Sequence, residues 1–319
     1  MKEFIINKND ADQRLDKFLS KAVKLLPKNL LYKYIRLKRI KVNGKRTEIS
    51  YRLVEGDKVS LYINDEFFET EKPTFLYAKP QIDIVYEDEN IMLVDKSFGL
   101  IVHEDEGEDV DTLINRVKHY LYQKGEYIPE QETSFAPALC NRIDRNTGGI
   151  VIVAKTAEAL RILNEKIKLR EIHKFYLCLV RGTPPKKEDT LTSYHIKNEK
   201  ENIAEVFDVA KKDTKTMITK YKVLESNRKY SLLEVELKTG RFHQIRAHMA
   251  HIGCPLVGDG KYAENSKERK LGFKHQALYS YKLIFDFKEE CPLSYLNNKP
   301  FEVKEVPFAK NGIPDILSE

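Results

Sequence analysis

The run Asn141-Arg142-Ile143-Asp144-Arg145-Asn146-Thr147-Gly148-Gly149 places one carboxylate between two guanidinium groups, immediately before the apolar run Ile150 to Ala154. A carboxylate that acts as nucleophile or base in a water-poor pocket has to stay ionised, and a neighbouring guanidinium favours that form. The same residues also make a tight turn, with Asp and Asn as side-chain caps and the glycines at positive φ. Taken alone, Asp144 therefore reads first as a turn residue.

Three further segments hold more polar specificity than a scaffold needs. Asp95 to His103 (DKSFGLIVH) is a strand running into a Gly-containing turn, and His173 to Gly182 (HKFYLCLVRG) is a β-rich run that carries Tyr176. The last, within Leu237 to Tyr262, reads TGRFHQIRAHMAHIGCPLVGDGKY from Thr239. There Arg241, His243, Gln244 and Arg246 are donors suited to a phosphate, a base edge or a carboxylate, crowded at a helix N-terminus that already favours anions. A helix beginning after Gly240 with Phe242, Ile245, Met249 and Ile252 inward explains the apolar periodicity but not the donors. His243, His248 and His251 invite a metal reading, yet the spacing H-x4-H-x2-H supplies no i, i+4 pair and no HExxH acid.

The elements that must position these groups follow from periodicity. IDIVY and IMLVDK around a turn at EDEN predict an antiparallel hairpin from Ile82. Helices are expected over Thr112 to Tyr122 and Thr156 to Leu169. Strands are expected at Ile150 to Ala154, Phe175 to Val180, TMITKYKVLE and YSLLEVELK. Strands and helices intermix without a regular βαβ repeat, which predicts an α+β fold on a mainly antiparallel mixed sheet with flanking helices.

Ahead of that region, Leu15, Phe18, Leu19, Ala22 and Leu26 recur at helical spacing, with Asp12 as the expected N-cap. A second helix from near Asn29 buries Leu30, Leu31, Tyr34 and Ile35. Ile40 and Val42 then alternate before Asn43-Gly44, a strong hairpin signal, and Val59, Leu61 and Ile63 alternate further on. The expected division is a small unit of two helices and a sheet over 1–63, a linker over 64–80 and a large domain over 81–319.

With 319 residues and 41% hydrophobic content the chain can bury a sizeable core. Its apolar runs fall far short of the roughly 20 residues a bilayer crossing needs, and its start carries no secretory h-region. The expectation is a cytoplasmic protein with no membrane contact. Cys140, Cys178, Cys254 and Cys291 form no CxxC and read as reduced thiols. From Arg14 to Arg46 there are twelve Lys/Arg against one acid, so this short stretch carries +11 of a net +6. Charge that dense is the footprint of a polyanion-binding surface.

The N-terminal unit, with RLDKFL at its start and RIKVNGK at its centre, resembles the S4-type RNA-binding domain over residues 12 to 63. That resemblance implies phosphate neutralisation by Lys33, Arg36, Lys38, Arg39, Lys41 and Lys45. The four chemistry-bearing segments, in this order and spacing, resemble the RluA-type pseudouridine synthases. The family's pattern around its catalytic aspartate stands here as NRIDRNTGGI, departing at Asn141 and Gly148, where histidine and serine are usual. Tyr279, in HQALYSYKL, likewise stands where histidine is usual.

This resemblance implies an enzyme that isomerises uridine to pseudouridine in RNA, breaking the N1 glycosidic bond and rejoining the base through C5. It casts Asp144 as the reacting carboxylate, either by covalent attack or by abstracting a ribose proton. Tyr176 becomes the residue against the target base, Arg246 the partner of the aspartate, and Arg142 a residue that holds the extruded nucleotide. Arg241, His243 and Gln244 remain candidate RNA contacts. Synthases with an S4-like arm usually modify ribosomal RNA, which makes that the expected partner, with transfer RNA also possible. No phosphate loop, metal cluster or dinucleotide fingerprint appears, so neither a cofactor nor an obligate protein partner is expected. The competing readings are a catalytically silent RNA-binding assembly factor and a zinc-dependent RNA hydrolase built on His243, His248 and His251.

Overall fold

The structure is a computed structural model that describes residues 1–68, 73–104, 110–310, 312–314 and 317. Its N-terminal unit comprises β1 (Lys2–Ile5), α1 (Leu15–Ala22), α2 (Lys28–Arg36), β2 (Ile40–Val42) and β3 (Lys58–Leu61), the strands forming an antiparallel sheet in the order β1-β3-β2. Leu15, Phe18 and Leu19 of α1 pack with Leu31, Tyr34 and Ile35 of α2 over Ile40, Val42, Val59 and Leu61 of the sheet, as the apolar spacing requires.

Two local expectations fail here. Asp12 does not cap α1: the cap position is Arg14, without a side-chain cap bond, and Asp12 sits at φ 62. Its backbone carbonyl and carboxylate instead accept Arg52 Nη1 at 2.8 and 3.3 Å. Asn43 and Gly44 do turn, at φ 52 and 74, and bridge Val42 to Lys45, but no hairpin strand follows. The Asn43 side chain donates to Asp57 at 2.8 Å and accepts from Lys58 N at 2.9 Å, so the turn is fastened to β3, which becomes the partner of β2. Strand β1 had no signal in the sequence.

The stretch read as a linker is docked at both ends. Residues Asp65–Phe68 form a 3-10 turn whose Phe67 and Phe68 pack on the N-terminal core. Thr74–Tyr77 form another, whose Phe75 is buried beside Tyr122 and Tyr127 at centroid distances of 6.0 and 5.7 Å. Residues 69–72 of that stretch lie outside the described residues.

The large domain runs β4 (Asp83–Glu87), β5 (Ile91–Lys96), α3 (Leu113–Gln123), β6 (Ala138–Leu139), β7 (Gly148–Ala154), α4 (Ala157–Lys168), β8 (Ile172–Arg181), β9 (Glu188–Asn198), β10 (Ile203–Phe207), β11 (Lys215–Ser226), β12 (Tyr230–Leu237), α5 (Gln244–His251), α6 (Ser266–Lys270), β13 (Leu278–Phe285) and β14 (Pro300–Glu302). These strands make one sheet ordered β10-β9-β11-β12-β8-β13-β7-β5-β4, with β14 on β13 and β6 on β7. Every described pair is antiparallel except β7 with β13. The fold is α+β on a mainly antiparallel mixed sheet. Thr112 and Thr156 accept from Asn115 N and Ala159 N, capping α3 and α4 with about 1 kcal/mol each. Strand β7 is buried on both faces: Val151 and Val153 meet Val117 and Leu121 of α3, and Ile150 and Ile152 meet Ala159 and Leu163 of α4, following the period of two.

The glycine pair that opens β7 permits this arrangement. A Cβ on Gly148 would lie 2.3 Å from the Tyr279 ring, and one on Gly149, at φ +109, only 2.2 Å from the Ser280 carbonyl oxygen. Only glycines let β7 lie in register with β13 at this point.

Candidate active site

The four chemistry-bearing segments converge on one open cleft of about 1600 Å³, lined by His103, Arg142, Asp144, Tyr176, Arg241 and Arg246 among others. Asp144 sits on the turn that leads into β7. Its carbonyl accepts from Thr147 N at 3.0 Å, and the Thr147 hydroxyl accepts from Gln276 at 3.2 Å. Behind the turn lies Lys96, with no exposed surface. Its ammonium donates to the carbonyls of Ser97, Leu100 and Arg145 at 2.9, 2.8 and 3.0 Å. Arg145 Nε donates to Gly99 O at 3.1 Å, and Gly99 N donates back to Arg145 O at 2.9 Å. The turn after β5 and the turn bearing Asp144 are thereby stitched into one piece. Burial pulls Lys96 down to about 7, against the opposing charges of Asp144 and Asp95.

Arg246, on the first turn of α5 and 6% exposed, is held from behind. Its Nε and Nη2 donate to the two oxygens of Asp259 at 2.7 and 2.9 Å, leaving Nη1 to reach Asp144 Oδ2 at 3.0 Å. Asp259 is fully buried and also accepts from Lys261 N at 3.0 Å. Burial acts to raise its carboxyl, but the hydrogen bonds and charge of Arg246 more than offset this and hold it below its ordinary value. The guanidinium thus has one planar edge fixed on one carboxylate and its remaining nitrogen aimed at the other, a division that Arg makes and Lys cannot.

His243 also reaches the carboxylate. It sits at φ 49 at the cap position of α5, with Nε2 at 3.7 Å from Asp144 Oδ2 and Nδ1 at 3.0 Å from the Tyr262 hydroxyl. That hydroxyl oxygen already accepts from Ala204 N at 2.6 Å. When that hydroxyl donates its proton to His243 Nδ1, the imidazole proton sits on Nε2, facing Asp144. Burial, with Arg246 next, lowers His243 to about 4, so the ring is neutral near pH 7. Tyr176, on β8, is 5% exposed. Burial, followed by the charge of Asp144, pushes it up to about 12, which keeps the phenol protonated.

The remaining sequence candidates divide. Arg142 is exposed at the mouth of the cleft. Arg241 also lines the cleft, with its Nε donated to Thr216 O at 3.0 Å. Gln244 is corrected: it is 3% exposed, and all four positions of its amide are occupied inside the fold. The amide oxygen accepts from Thr239 Oγ1 and Arg241 N at 2.8 and 3.0 Å, and Nε2 donates to Ile218 O and Thr219 Oγ1 at 2.8 and 3.0 Å. It ties α5 to β11 and has no hydrogen-bonding capacity left for RNA. The inward placing of Phe242 is corrected as well, because α5 begins only at Gln244 and the ring lies in the cleft wall.

The three histidines of the zinc reading diverge. His243 faces Asp144, His248 is buried against Thr219 at 2.8 Å, and His251 meets Asp208 at 2.7 Å. Among the described residues no three His, Cys, Asp or Glu side chains are grouped as metal ligands. On the N-terminal unit, Lys33, Arg36, Lys38, Arg39 and Lys45 are exposed, and half-buried Lys41 sits 5.3 Å from the centre of the Tyr62 ring.

Three residues of the site had no assigned role in the sequence. Lys96 and Asp259 lie inside the segments singled out, and the signal was available: a lysine ending a buried strand, and an acid set between Gly258 and Gly260. Tyr262 gave none. Two of the unusual residues are scaffold members: Asn141 accepts from Ile152 N at 2.8 Å, and Tyr279 donates to Asp95 at 2.7 Å.

The family described as RNA pseudouridylate synthase matches residues 90–251, and the S4 domain matches residues 13–59. An uncharacterized RNA pseudouridine synthase of Mycoplasma genitalium is 32% identical over 318 residues, covering 96% of this chain and 97% of that one. The ribosomal large subunit pseudouridine synthase C of Rickettsia bellii is 31% identical over 264 residues, covering 79% and 83%. Among solved structures, the human RNA pseudouridylate synthase domain containing 4 protein shares the fold at a TM-score of 0.55 and 20% identity, over 70% of this chain and 88% of that one. Fold and cleft together therefore define an RNA-modifying isomerase with an RNA-binding arm. The chain belongs to the RNA pseudouridylate synthase family, and it carries an S4 domain ahead of the catalytic domain.

Proposed function

We propose that this protein converts uridines of large-subunit ribosomal RNA to pseudouridine, with Asp144 as the group that starts the reaction. The observation that carries this reading is the clamp on Asp144: a carboxylate in a cleft, fixed by an arginine that is itself anchored on buried Asp259. A uridine in a stacked strand must be extruded to reach it, at a cost of a few kcal/mol that stacking in the pocket offsets in part. Arg142 stands at the mouth, where it can occupy the position the nucleotide leaves. The carboxylate then labilises the bond between C1′ and N1, by attack at C1′ or by removing a ribose proton. The detached uracil turns within the pocket, C5 bonds to C1′, the C5 proton departs and N1 gains a proton. Atoms are conserved throughout. The neutral phenol of Tyr176 lies in the pocket near Asp144, suited to pack on the base and to pass a proton.

Ribosomal RNA is favoured over transfer RNA by the names of relatives such as the Rickettsia bellii synthase and by the basic S4 arm. The test is carbodiimide mapping of pseudouridine in total RNA from cells with and without the gene, rescued by wild type or by Asp144→Ala. Stops in large-subunit RNA should vanish on deletion and return only with Asp144 intact. Restoration by Asp144→Ala refutes the role of Asp144, and a lost stop confined to transfer RNA refutes the substrate.

A further inference from the structure

Among the described residues, Phe242 belongs to none of the four hydrophobic clusters. The left-handed backbone at His243 is the N-cap of α5, so the helix starts only at Gln244 and leaves Phe242 ahead of it, its half-buried ring in the wall of the cleft. One face stacks on the His243 ring, with centroids 3.8 Å apart and planes at 22°, and His243 in turn reaches Asp144. The Lys197 ammonium lies 5.0 Å from the centre of the Phe242 ring. Lys197 is the penultimate residue of β9, its side chain is 38% exposed, and its partner Glu199, at 2.5 Å, is 76% exposed. Asp144, His243, Phe242 and Lys197 thus form a file leading from the reacting carboxylate along the cleft.

An aromatic ring beside a reaction centre, outside the core and beneath a partly exposed cation, has the chemistry of a base-stacking platform. We propose that Phe242 is a second nucleotide subsite. It stacks the base next to the target uridine, and Lys197 swings off the ring to meet that nucleotide's phosphate. Arg241, on the same wall, borders the subsite. This deepens the function proposed above and rests on it. The subsite selects a substrate in which the neighbour of the target is unpaired, because a base held in a helix cannot present its face to the ring. A flexible loop or junction uridine fits, and one inside a continuous helix does not.

Two measurements on the full-length protein test this. The first binds short single-stranded RNA carrying 2-aminopurine on one or the other side of a central uridine to the Asp144→Ala protein. Fluorescence should be quenched at one of the two positions, Phe242→Leu should abolish that quench, and Phe242→Tyr should keep it. The second is steady-state turnover on a ribosomal RNA stem-loop. Phe242→Leu should raise KM about tenfold with kcat held within twofold, and an abasic neighbour should erase the difference between wild type and Phe242→Leu. Leucine retains bulk against His243, so a ring that serves only to hold His243 gives a different result: KM stays, and neither quench nor abasic effect depends on residue 242. That result overturns the proposal, as does equal quenching in wild type and Phe242→Leu. Absence of pseudouridine formation by wild type on every ribosomal fragment instead refutes the proposed function, and the binding measurement still decides the subsite.

Discussion

At the scale of single residues, the site depends on an arginine shared by two carboxylates. Asp259 holds two of the guanidinium nitrogens and Asp144 one, so Asp259 fixes the direction from which Asp144 is met. Asp259→Ala leaves a buried cation half paired, and breaking such a pair costs about 3 to 5 kcal/mol. The expected outcome is a large drop in the urea midpoint together with a kcat reduced on the order of a hundredfold, whereas Asp144→Ala loses turnover with little loss of stability. Equal stability of the two variants would show that the anchor is not structural. Histidine supplies a pH prediction of definite sign. His243 and His248 are each lowered from 6.5 to about 4 in the fold, by burial first in both cases. Between those values the unfolded chain binds protons that the native protein refuses. Their contribution to stability is therefore complete above about pH 6.5 and is lost as pH falls towards 4. Urea unfolding at pH 7.5 and pH 5 should show the loss, and His248→Asn should shrink it.

At the scale of elements, the geometry of Asp144 comes from two turns and not from its own strand. Lys96 joins them through three carbonyls. Lys96→Met removes all three donors while keeping the stem's bulk, so the turn slackens. The expected result is a kcat lowered on the order of tenfold or more, with RNA affinity close to wild type by filter binding; an unchanged kcat would show that the turn holds its shape without the lysine. What could be read in the sequence follows the same division. Local signals with one physical solution were legible: the helices that start near Thr112 and Thr156, the apolar runs of β5 and β7, the crowd of donors before α5. Signals with two solutions were not. Gly148 and Gly149 suit a turn or a close strand contact, and only the parallel partner β13 shows that contact is their reason. Gln244 and Arg246 are both donors two residues apart, and only the packing of α5 on β11 shows that one faces the sheet and the other the cleft. Asp12 has the right residue type for a cap, yet Arg52, distant in sequence, claims it.

At the scale of the whole molecule, the two units meet through a polar seam instead of hanging on a loose tether. Asp10, fully buried, accepts from Ser134 N and Oγ at 3.0 and 2.6 Å. Gln13 donates to the same hydroxyl at 2.7 Å, and Asn9 bridges Glu132 and Ala157 N at 3.1 and 3.2 Å. A fixed seam sets how far the basic face of the arm stands from the cleft, and geometry of this kind acts on affinity through effective concentration, without adding a contact. Charge and geometry can therefore be separated. Each phosphate neutralised contributes a slope of about −0.9 or less in log K against log salt. Deleting residues 1–63 removes the +11 stretch and should flatten that slope as well as weaken binding. Asp10→Ala keeps every lysine and arginine but undoes the seam. It should leave the slope unchanged and weaken binding about tenfold, and only for ribosomal fragments long enough to span arm and cleft. Anisotropy titrations with short and long RNA across a salt series make the comparison. Wild-type affinity of Asp10→Ala for the long fragment would mean that the arm acts by its charge alone, wherever it sits.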